Sequence, residues 1–195
     1  MSSTAAESGT RSRTRRAILG AAARVLGRRH DATLADVARA AEVGRSTLHR
    51  YFPDREELVR AVVEDSLAVV TRALREARPE EGPAREAMHR TITAMVEHGD
   101  RLVFLWGDPR VLEDYGKGGP VDAHVGEDGL LGLIERGQRE GAFDPALDPR
   151  WIQHVLWGLV YTGVEAGEQG LLPRHGVIAT VIRTLENGVR PPAPG

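Results

Sequence analysis

Apolar residues recur at helical spacing along this chain, and no alternating apolar and polar run reaches convincing strand length. In the first predicted helix, Ile18, Ala22 and Leu26 share one face, while arginines occupy the other positions. Further helices are predicted over residues 84–106, 121–141, 149–167 and 177–189. The pattern predicts an all-α fold of about nine helices.

Two short helices are predicted between residues 31 and 58. Thr33 and Asp36 have the spacing of a capping box, which opens a helix that closes near Ala41. A third helix is expected from Arg45 to Tyr51, because Pro53 breaks the chain directly afterwards. Two short helices joined by a tight turn are typical of a helix-turn-helix, whose second helix enters the major groove of DNA.

The charge distribution supports a polyanionic partner for this region. Residues 11–60 hold twelve basic and six acidic residues, whereas residues 61–195 hold fourteen basic and twenty-one acidic ones, so the net charge of −2 hides a basic N-terminal third. Such an asymmetry indicates that one part meets nucleic acid while the remainder has another task.

The segment from residue 31 to residue 59 reads DATLADVARAAEVGRSTLHRYFPDREELV. It resembles the DNA-binding region of the tetracycline-repressor (TetR) family of bacterial regulators. The residues that carry the resemblance are Thr33, Val37, Ala38, Ala41, Val43, Thr47, Leu48, Tyr51, Phe52, Arg55 and Leu58. Three positions depart from the family pattern: Glu42 replaces a usual glycine, Gly44 a capping serine and His49 a common tyrosine.

The resemblance implies an all-α homodimer with a three-helix head and a variable helical body that binds an effector and dimerises. We therefore expect a ligand-responsive transcriptional regulator, a repressor that a small, mostly apolar or aromatic effector releases from an inverted-repeat operator. Residues 11–56 are predicted to form the DNA-binding domain and residues 57–189 the ligand-binding and dimerisation domain. Residues 1–10 and 190–195 are predicted to be disordered tails.

Seven residues are candidates for DNA contacts. Arg45 opens the recognition helix with a planar fork that suits guanine O6 and N7, and the short side chains of Ser46 and Thr47 suit base edges. The flanking candidates for phosphate contacts are Thr33, His49, Tyr51 and Arg55. Four arginines further upstream suit either DNA or a solvated charge run, and they are Arg11, Arg13, Arg15 and Arg16.

Effector and dimer residues are predicted from the C-terminal helices. Pockets in helical bundles form between facing helices, which suggests an effector lining of Met95, His98, Leu102, Trp106, Trp157 and Tyr161. The last two helices carry more apolar surface than one core face hides, which favours a four-helix interface between two identical chains. The predicted interface residues are Ile152, Val155, Leu156, Leu159, Val177, Ile178, Val181, Ile182 and Leu185.

Two other classes stay open at this point. Glu86 and His89 form one Glu-x-x-His, the spacing of di-iron helical bundles, but a second copy is missing from the sequence. The chain has no cysteine and no nucleophile-elbow, zinc-protease or phosphate-loop motif. We therefore expect no enzymatic activity, no cofactor and no catalytic or metal-binding residue, with an all-α metal-dependent enzyme or a helical interaction module as alternatives.

No membrane partner is predicted, because the longest apolar stretch is about half of the ~20 residues that a spanning helix needs. The first ten residues carry neither a basic cluster nor an apolar segment, so a secretory signal is not expected. The prediction is therefore a cytoplasmic protein.

Overall fold

A computed structural model describes residues 3–111 and 127–190 of the chain. The described residues contain nine complete α-helices and no strand, which confirms the all-α prediction. Within the described ranges, no helix is both long and apolar enough to cross a bilayer. The helices are α1 (Ser3–Arg28), α2 (Leu34–Ala40), α3 (Arg45–Tyr51), α4 (Arg55–Glu76), α5 (Ala84–Glu97), α6 (Gly99–Trp106), α7 (Glu127–Arg139), α8 (Pro149–Glu168) and α9 (Val177–Gly188), with a short 3-10 turn at Arg174–Gly176.

The chain divides into two compact units. The head unit contains α1 to α3, α4 as far as Ala68, and α6 from Asp100; the body unit contains α4 from Val69, α5 and α7 to α9. The chain therefore passes from one unit to the other within α4, after Ala68, and again at the start of α6, after Gly99.

The core of the head unit forms where α1, α2, α3 and α4 bury their apolar faces. The first helix packs on α2, which in turn packs on α3. The fully buried side chains include Ile18, Leu19, Leu26, Val37, Leu48, Phe52, Leu58 and Val62. A buried Leu or Phe of this kind contributes on the order of 2 kcal/mol, so these residues fix the positions of the two short helices.

The body unit is a bundle in which α9 packs on α8 and α5, and α7 packs on α5 and α8. Two glycines let α8 and α9 approach closely: a Cβ at Gly163 would lie 2.7 Å from a Val181 methyl, and a Cβ at Gly167 would lie 2.8 Å from a Val177 methyl. Larger residues at these two positions would push the helices apart.

The helix predicted over residues 84–106 is in fact two helices, α5 and α6, which are separated at His98. A Cβ at Gly99 would lie 2.4 Å from a Val164 methyl, so this point of the chain lies directly against α8. The sequence suggested one continuous helical stripe of Met95, His98, Leu102 and Trp106. The break at His98 divides that stripe between two helices.

One predicted boundary differs at the N-terminal end of the chain. Helix α1 begins at Ser3, although a disordered tail was predicted over residues 1–10. A helix extends more easily than it starts, because each added residue gains one hydrogen bond and no new nucleus has to form. In this part of α1, Thr14 Oγ1 also donates to the Thr10 carbonyl at 3.0 Å. The predicted start of a helix at residue 121 and nearly all of the C-terminal tail lie outside the described residues.

Candidate DNA-binding surface

Helix α2 begins at the predicted capping box. The Asp36 amide donates to Thr33 Oγ1 at 3.2 Å, and Asp36 Oδ2 accepts from the Thr33 amide at 2.9 Å. This hydrogen bond from the Thr33 backbone, with a further one from its hydroxyl, holds the pKa of Asp36 below its usual value. The Thr33 hydroxyl thus takes part in the cap that starts α2, and its predicted phosphate contact stays a prediction.

The turn between α2 and α3 is a Schellman motif. The Glu42 amide donates to the Arg39 carbonyl at 3.2 Å, and the Val43 amide donates to the Ala38 carbonyl at 3.0 Å. Glu42 has φ 55°, the left-handed conformation that glycine adopts most readily. The departure from the family pattern at Glu42 therefore falls at the one position of this turn where glycine is favoured by backbone geometry.

Helix α3 has one buried and one exposed face. Leu48 is 1% exposed and anchors α3 in the head core, while Arg45, Ser46 and His49 are exposed and Thr47 is half-buried. Gly44 caps α3 without a side-chain hydrogen bond. Arg45 makes no ion pair or hydrogen bond with any described residue, so its guanidinium is free to bind a ligand.

Two flanking candidates are held by contacts within the head unit. His49 donates its Nδ1–H to the Pro53 carbonyl at 3.2 Å, and the Tyr51 hydroxyl donates to the Arg11 carbonyl at 3.3 Å. Both side chains are thus oriented by the chain itself, at the C-terminal end of α3.

Arg55 has a structural role that the sequence did not predict. Its two terminal nitrogens donate to the carbonyls of His30 and Ala32 in the loop between α1 and α2. Arg55 is the first residue of α4, and these contacts hold its guanidinium against the loop that precedes the capping box. The sequence had predicted that this guanidinium would meet phosphate.

A buried ion pair in the head unit was also missed. Arg101 is 9% exposed, and its Nη1 lies 2.8 Å from Asp65 Oδ2 and donates to Ser66 Oγ at 3.1 Å. Its Nη2 lies against Gly20 of α1. Arg101 therefore ties α6 to α4 and α1. No sequence motif marks this contact, because the residues are 35 or more positions apart.

The predicted effector residues differ widely in exposure. Met95 and Leu102 are buried, Trp106 is 37% exposed, and His98, Trp157 and Tyr161 are half-buried. None of the six lines a cleft of about 450 Å³ in the body unit. That cleft is lined by Thr71, Leu74, Arg75, Pro79, Glu80, Thr91, Gly129 and Leu130.

The predicted dimer residues fall into two groups. Five are buried in the body unit of their own chain, namely Ile152, Leu156, Val177, Val181 and Leu185. Within each helix these residues are four apart, so their side chains lie on the same face, which packs in the core of their own chain. Four stay half-exposed on the outer side of α8 and α9, namely Val155, Leu159, Ile178 and Ile182. Trp151, one helical turn before Val155 and outside the predicted set, is 61% exposed.

The Glu-x-x-His pair is not part of a metal site in the described structure. His89 donates from Nε2 to Glu186 Oε1 at 2.9 Å, and Arg85 donates to the same oxygen at 2.8 Å. Among the described residues, no three His, Asp or Glu side chains come together as metal ligands.

Comparison with known proteins identifies the class. Residues 18–62 match the sequence profile described as "Bacterial regulatory proteins, tetR family". The chain is 35% identical over 189 residues to the HTH-type transcriptional repressor LfrR of Mycolicibacterium smegmatis, covering 97% of each protein. It is 27% identical over 164 residues to the HTH-type transcriptional regulator NfxB of Pseudomonas aeruginosa, covering 83% of this chain and 87% of that one.

The fold agrees with the sequence relationship. The crystal structure of the TetR-like regulator LfrR from Mycobacterium smegmatis superposes with a TM-score of 0.76 at 32% identity, covering 93% of this chain and 98% of that one. A second structure of LfrR, in complex with proflavine, gives a TM-score of 0.65 at 30% identity, covering 93% and 99%. These named relatives are transcriptional regulators rather than enzymes. The chain belongs to the TetR family of bacterial transcriptional regulators.

Proposed function

We propose that this regulator is a cytoplasmic repressor that binds an inverted-repeat operator as a homodimer and leaves it when a small aromatic effector binds. The observation that carries the proposal is the exposed face of α3, which begins with an arginine that has no partner among the described residues. Leu48 and Phe52 are buried in the core of the head unit, and they fix the position of α3 and of its exposed face.

On this proposal α3 enters the major groove. Arg45 binds guanine O6 and N7 with two parallel hydrogen bonds, a contact that discriminates between bases by about 1–3 kcal/mol. Ser46 and Thr47 follow on the same helix and meet adjacent base edges. His49 and Tyr51, whose rings are fixed by hydrogen bonds within the head unit, lie at the phosphate side of the groove.

On this proposal Arg55 supports the DNA-binding surface through contacts within the chain and does not contact DNA. Because its guanidinium binds the carbonyls of His30 and Ala32, it holds the loop from which α2 starts. We assign DNA binding to residues 11–56 with this support from α4, and effector binding and dimerisation to residues 57–189.

The outer face of α8 and α9 supplies the dimer interface. Trp151, Val155 and Gly158 lie on one side of α8 at spacings of four and three residues, and a Cβ placed at Gly158 would meet nothing within 4 Å in its own chain. Glycine in the middle of a helix costs about 1 kcal/mol relative to alanine. No contact within the chain requires that cost, so we assign Gly158 to the crossing point with the partner's helix.

The effector site lies in the body unit. The cleft between α4, α5 and α7 is large enough for a small molecule, since ligand sites have volumes of about 300–1,000 Å³. Its lining combines apolar groups with the charged side chains of Arg75 and Glu80. LfrR has been crystallised with proflavine, a flat aromatic cation, and Glu80 supplies a carboxylate that suits such a charge. The six residues predicted from the sequence form the alternative lining.

Effector binding is tested by titrating the purified protein with proflavine and following dye fluorescence. Leu130→Trp should fill the cleft and weaken binding more than tenfold, while Leu171→Trp, which adds the same ring at a residue that is 73% exposed, should leave binding unchanged. Unchanged binding in Leu130→Trp, with loss in His98→Gln or Tyr161→Phe, would transfer the site to the alternative lining.

The DNA-binding proposal is tested by recovering genomic fragments with the purified protein and measuring affinity against salt. A protein that contacts phosphates releases counterions, so its affinity falls steeply as salt rises. We expect fragments that contain an inverted repeat and a steep salt dependence. Recovery of no fragment above background, or affinity independent of salt, would refute the proposal.

A further inference from the structure

The upstream arginines of α1 divide into two pairs with different surroundings. Arg11 and Arg15 are four residues apart and share one face of α1, whereas Arg13 lies on the opposite face and Arg16 is turned about 100° from Arg15. The guanidinium carbon of Arg11 lies 5.9 Å from the centre of the Tyr51 ring, and that of Arg15 lies 5.6 Å from the centre of the Phe52 ring. One arginine pair therefore contacts the end of the recognition helix, while Arg13 donates to Thr10 on α1 itself.

A third arginine joins the first pair at the same place. The guanidinium carbon of Arg50 lies 5.8 Å from the centre of the Tyr51 ring, so two cations stack on one tyrosine. The Tyr51 hydroxyl also donates to the Arg11 carbonyl at 3.3 Å, which fixes α1 to the C-terminal end of α3. Three cations are thus gathered beside the surface that enters DNA, and Arg11, Arg15 and Arg50 are all exposed.

Three like charges held together need a reason, because mutual repulsion opposes the arrangement. No acidic residue occurs between Gly9 and Arg16, and no described carboxylate pairs with any of the three. A guanidinium stacked on a ring keeps its N–H edge available for hydrogen bonds, and its restricted motion lowers the entropy lost on binding. This arrangement suits an anion with several oxygens close together.

We propose that Arg11, Arg15 and Arg50, stacked on Tyr51 and Phe52, form a second phosphate-binding site for the DNA backbone beside the groove that α3 enters. This inference rests on the proposed DNA binding and extends it beyond the recognition helix. The site positions the head on the duplex and carries no base specificity. Arg13 and Arg16 do not belong to it, because neither guanidinium stacks on Tyr51 or Phe52.

The test compares two double variants with the same change in charge on the same helix. Arg11→Gln with Arg15→Gln removes the stacked pair, and Arg13→Gln with Arg16→Gln removes the other pair. Salt dependence is measured on a genomic duplex recovered by the wild-type protein and on a scrambled duplex of the same length. Each phosphate contact contributes about 0.9 to the slope of log affinity against log salt.

We expect the Arg11 and Arg15 variant to lose about 0.9 of slope for each arginine in each subunit, equally on both duplexes. The Arg13 and Arg16 variant should lose much less. Equal losses in the two variants would overturn the site in favour of unspecific attraction, and no loss in either would overturn it outright. Failure of the wild-type protein to bind the recovered duplex would instead refute the DNA-binding proposal itself.

Variants of Tyr51 separate the stacking from the charge. Tyr51→Phe removes the hydroxyl but keeps the ring face under Arg11 and Arg50, and should lose less of the slope than Tyr51→Leu. Tyr51→Leu removes both the hydroxyl and the ring, and should lower the slope further than Tyr51→Phe because Arg11 and Arg50 lose the ring on which they stack. Thermal unfolding of each variant shows whether the head is folded, and a folded Tyr51→Leu protein with an unchanged slope would contradict the role of the ring.

Discussion

The turn between α2 and α3 makes a quantitative prediction at Glu42. Glu42 occupies the C′ position of a Schellman motif with φ 55°. A residue with a Cβ pays about 1–2 kcal/mol in the left-handed region. Glycine avoids this cost but loses about 0.5–1 kcal/mol more backbone entropy on folding. Glu42→Gly should therefore stabilise the protein by about 0.5–1 kcal/mol.

Two matched variants isolate the cause. Glu42→Ala removes the carboxylate but keeps the Cβ, and Glu42→Gln keeps the size of the side chain while removing its charge. Urea unfolding should rank Glu42→Gly as most stable, with the other two close to wild type. A shift of about 1 kcal/mol corresponds to about 2–4 °C in Tm for a chain of this size. Equal stability of the glycine and alanine variants would refute the argument from backbone strain.

The effect of the three Glu42 variants on DNA affinity should follow the loss of the carboxylate charge and not the relief of backbone strain. Glu42 is exposed and lies three residues before the start of α3. If α3 enters the major groove as proposed, the Glu42 carboxylate adds a negative charge close to the DNA phosphates. All three variants should bind DNA a few-fold more tightly at low salt, and the gain should shrink as salt screens the charge. Weaker binding by Glu42→Gln at low salt would contradict the repulsion argument.

Three further predictions address other parts of the chain. Arg45→Ala should lose about 1–3 kcal/mol of discrimination at one base pair per half-site, measured by competition between single-base operator variants, and a uniform loss at all positions would contradict base reading. Gly158→Leu, placed in open space within its own chain, should leave the subunit folded but weaken the dimer in sedimentation experiments; an unchanged dimer would remove Gly158 from the interface. The hydrogen bond from His89, and secondly the positive charge of Arg85, hold the pKa of Glu186 below its usual value. The ionised Glu186 therefore stabilises the folded protein above about pH 5, and this contribution is lost as pH falls through the lowered pKa. Glu186→Gln should cost at most about 1 kcal/mol at neutral pH, because the pair is partly exposed, and the difference from wild type should vanish in acid.

The head was predictable because its signals are local. A capping box needs residues three apart, and Pro53 ends α3 directly, so the bounds of α2 and α3 follow from a few neighbouring residues. The Asp148 cap and the proline after it similarly marked the start of α8. In each case the residue that defines the boundary lies within one turn of it.

Contacts between distant segments were not predictable in the same way. The bond from Arg55 to the loop before α2 and the burial of Arg101 beside Asp65 depend on how separate helices meet. The break between α5 and α6 depends on the approach of Gly99 to Val164, far along the chain. For the same reason, apolar spacing on α8 and α9 did not distinguish residues that face their own core from residues on the outer side.

The central claim is that two paired chains present α3 to successive major grooves and read guanine through Arg45. Methylation interference on a recovered operator measures this most directly, because a methyl group on guanine N7 blocks a hydrogen bond from arginine in the major groove. The account predicts interference at guanines placed symmetrically in the two half-sites, and loss of these signals in Arg45→Ala while weaker binding persists. Interference at one side only, or the same pattern in Arg45→Ala, would contradict it.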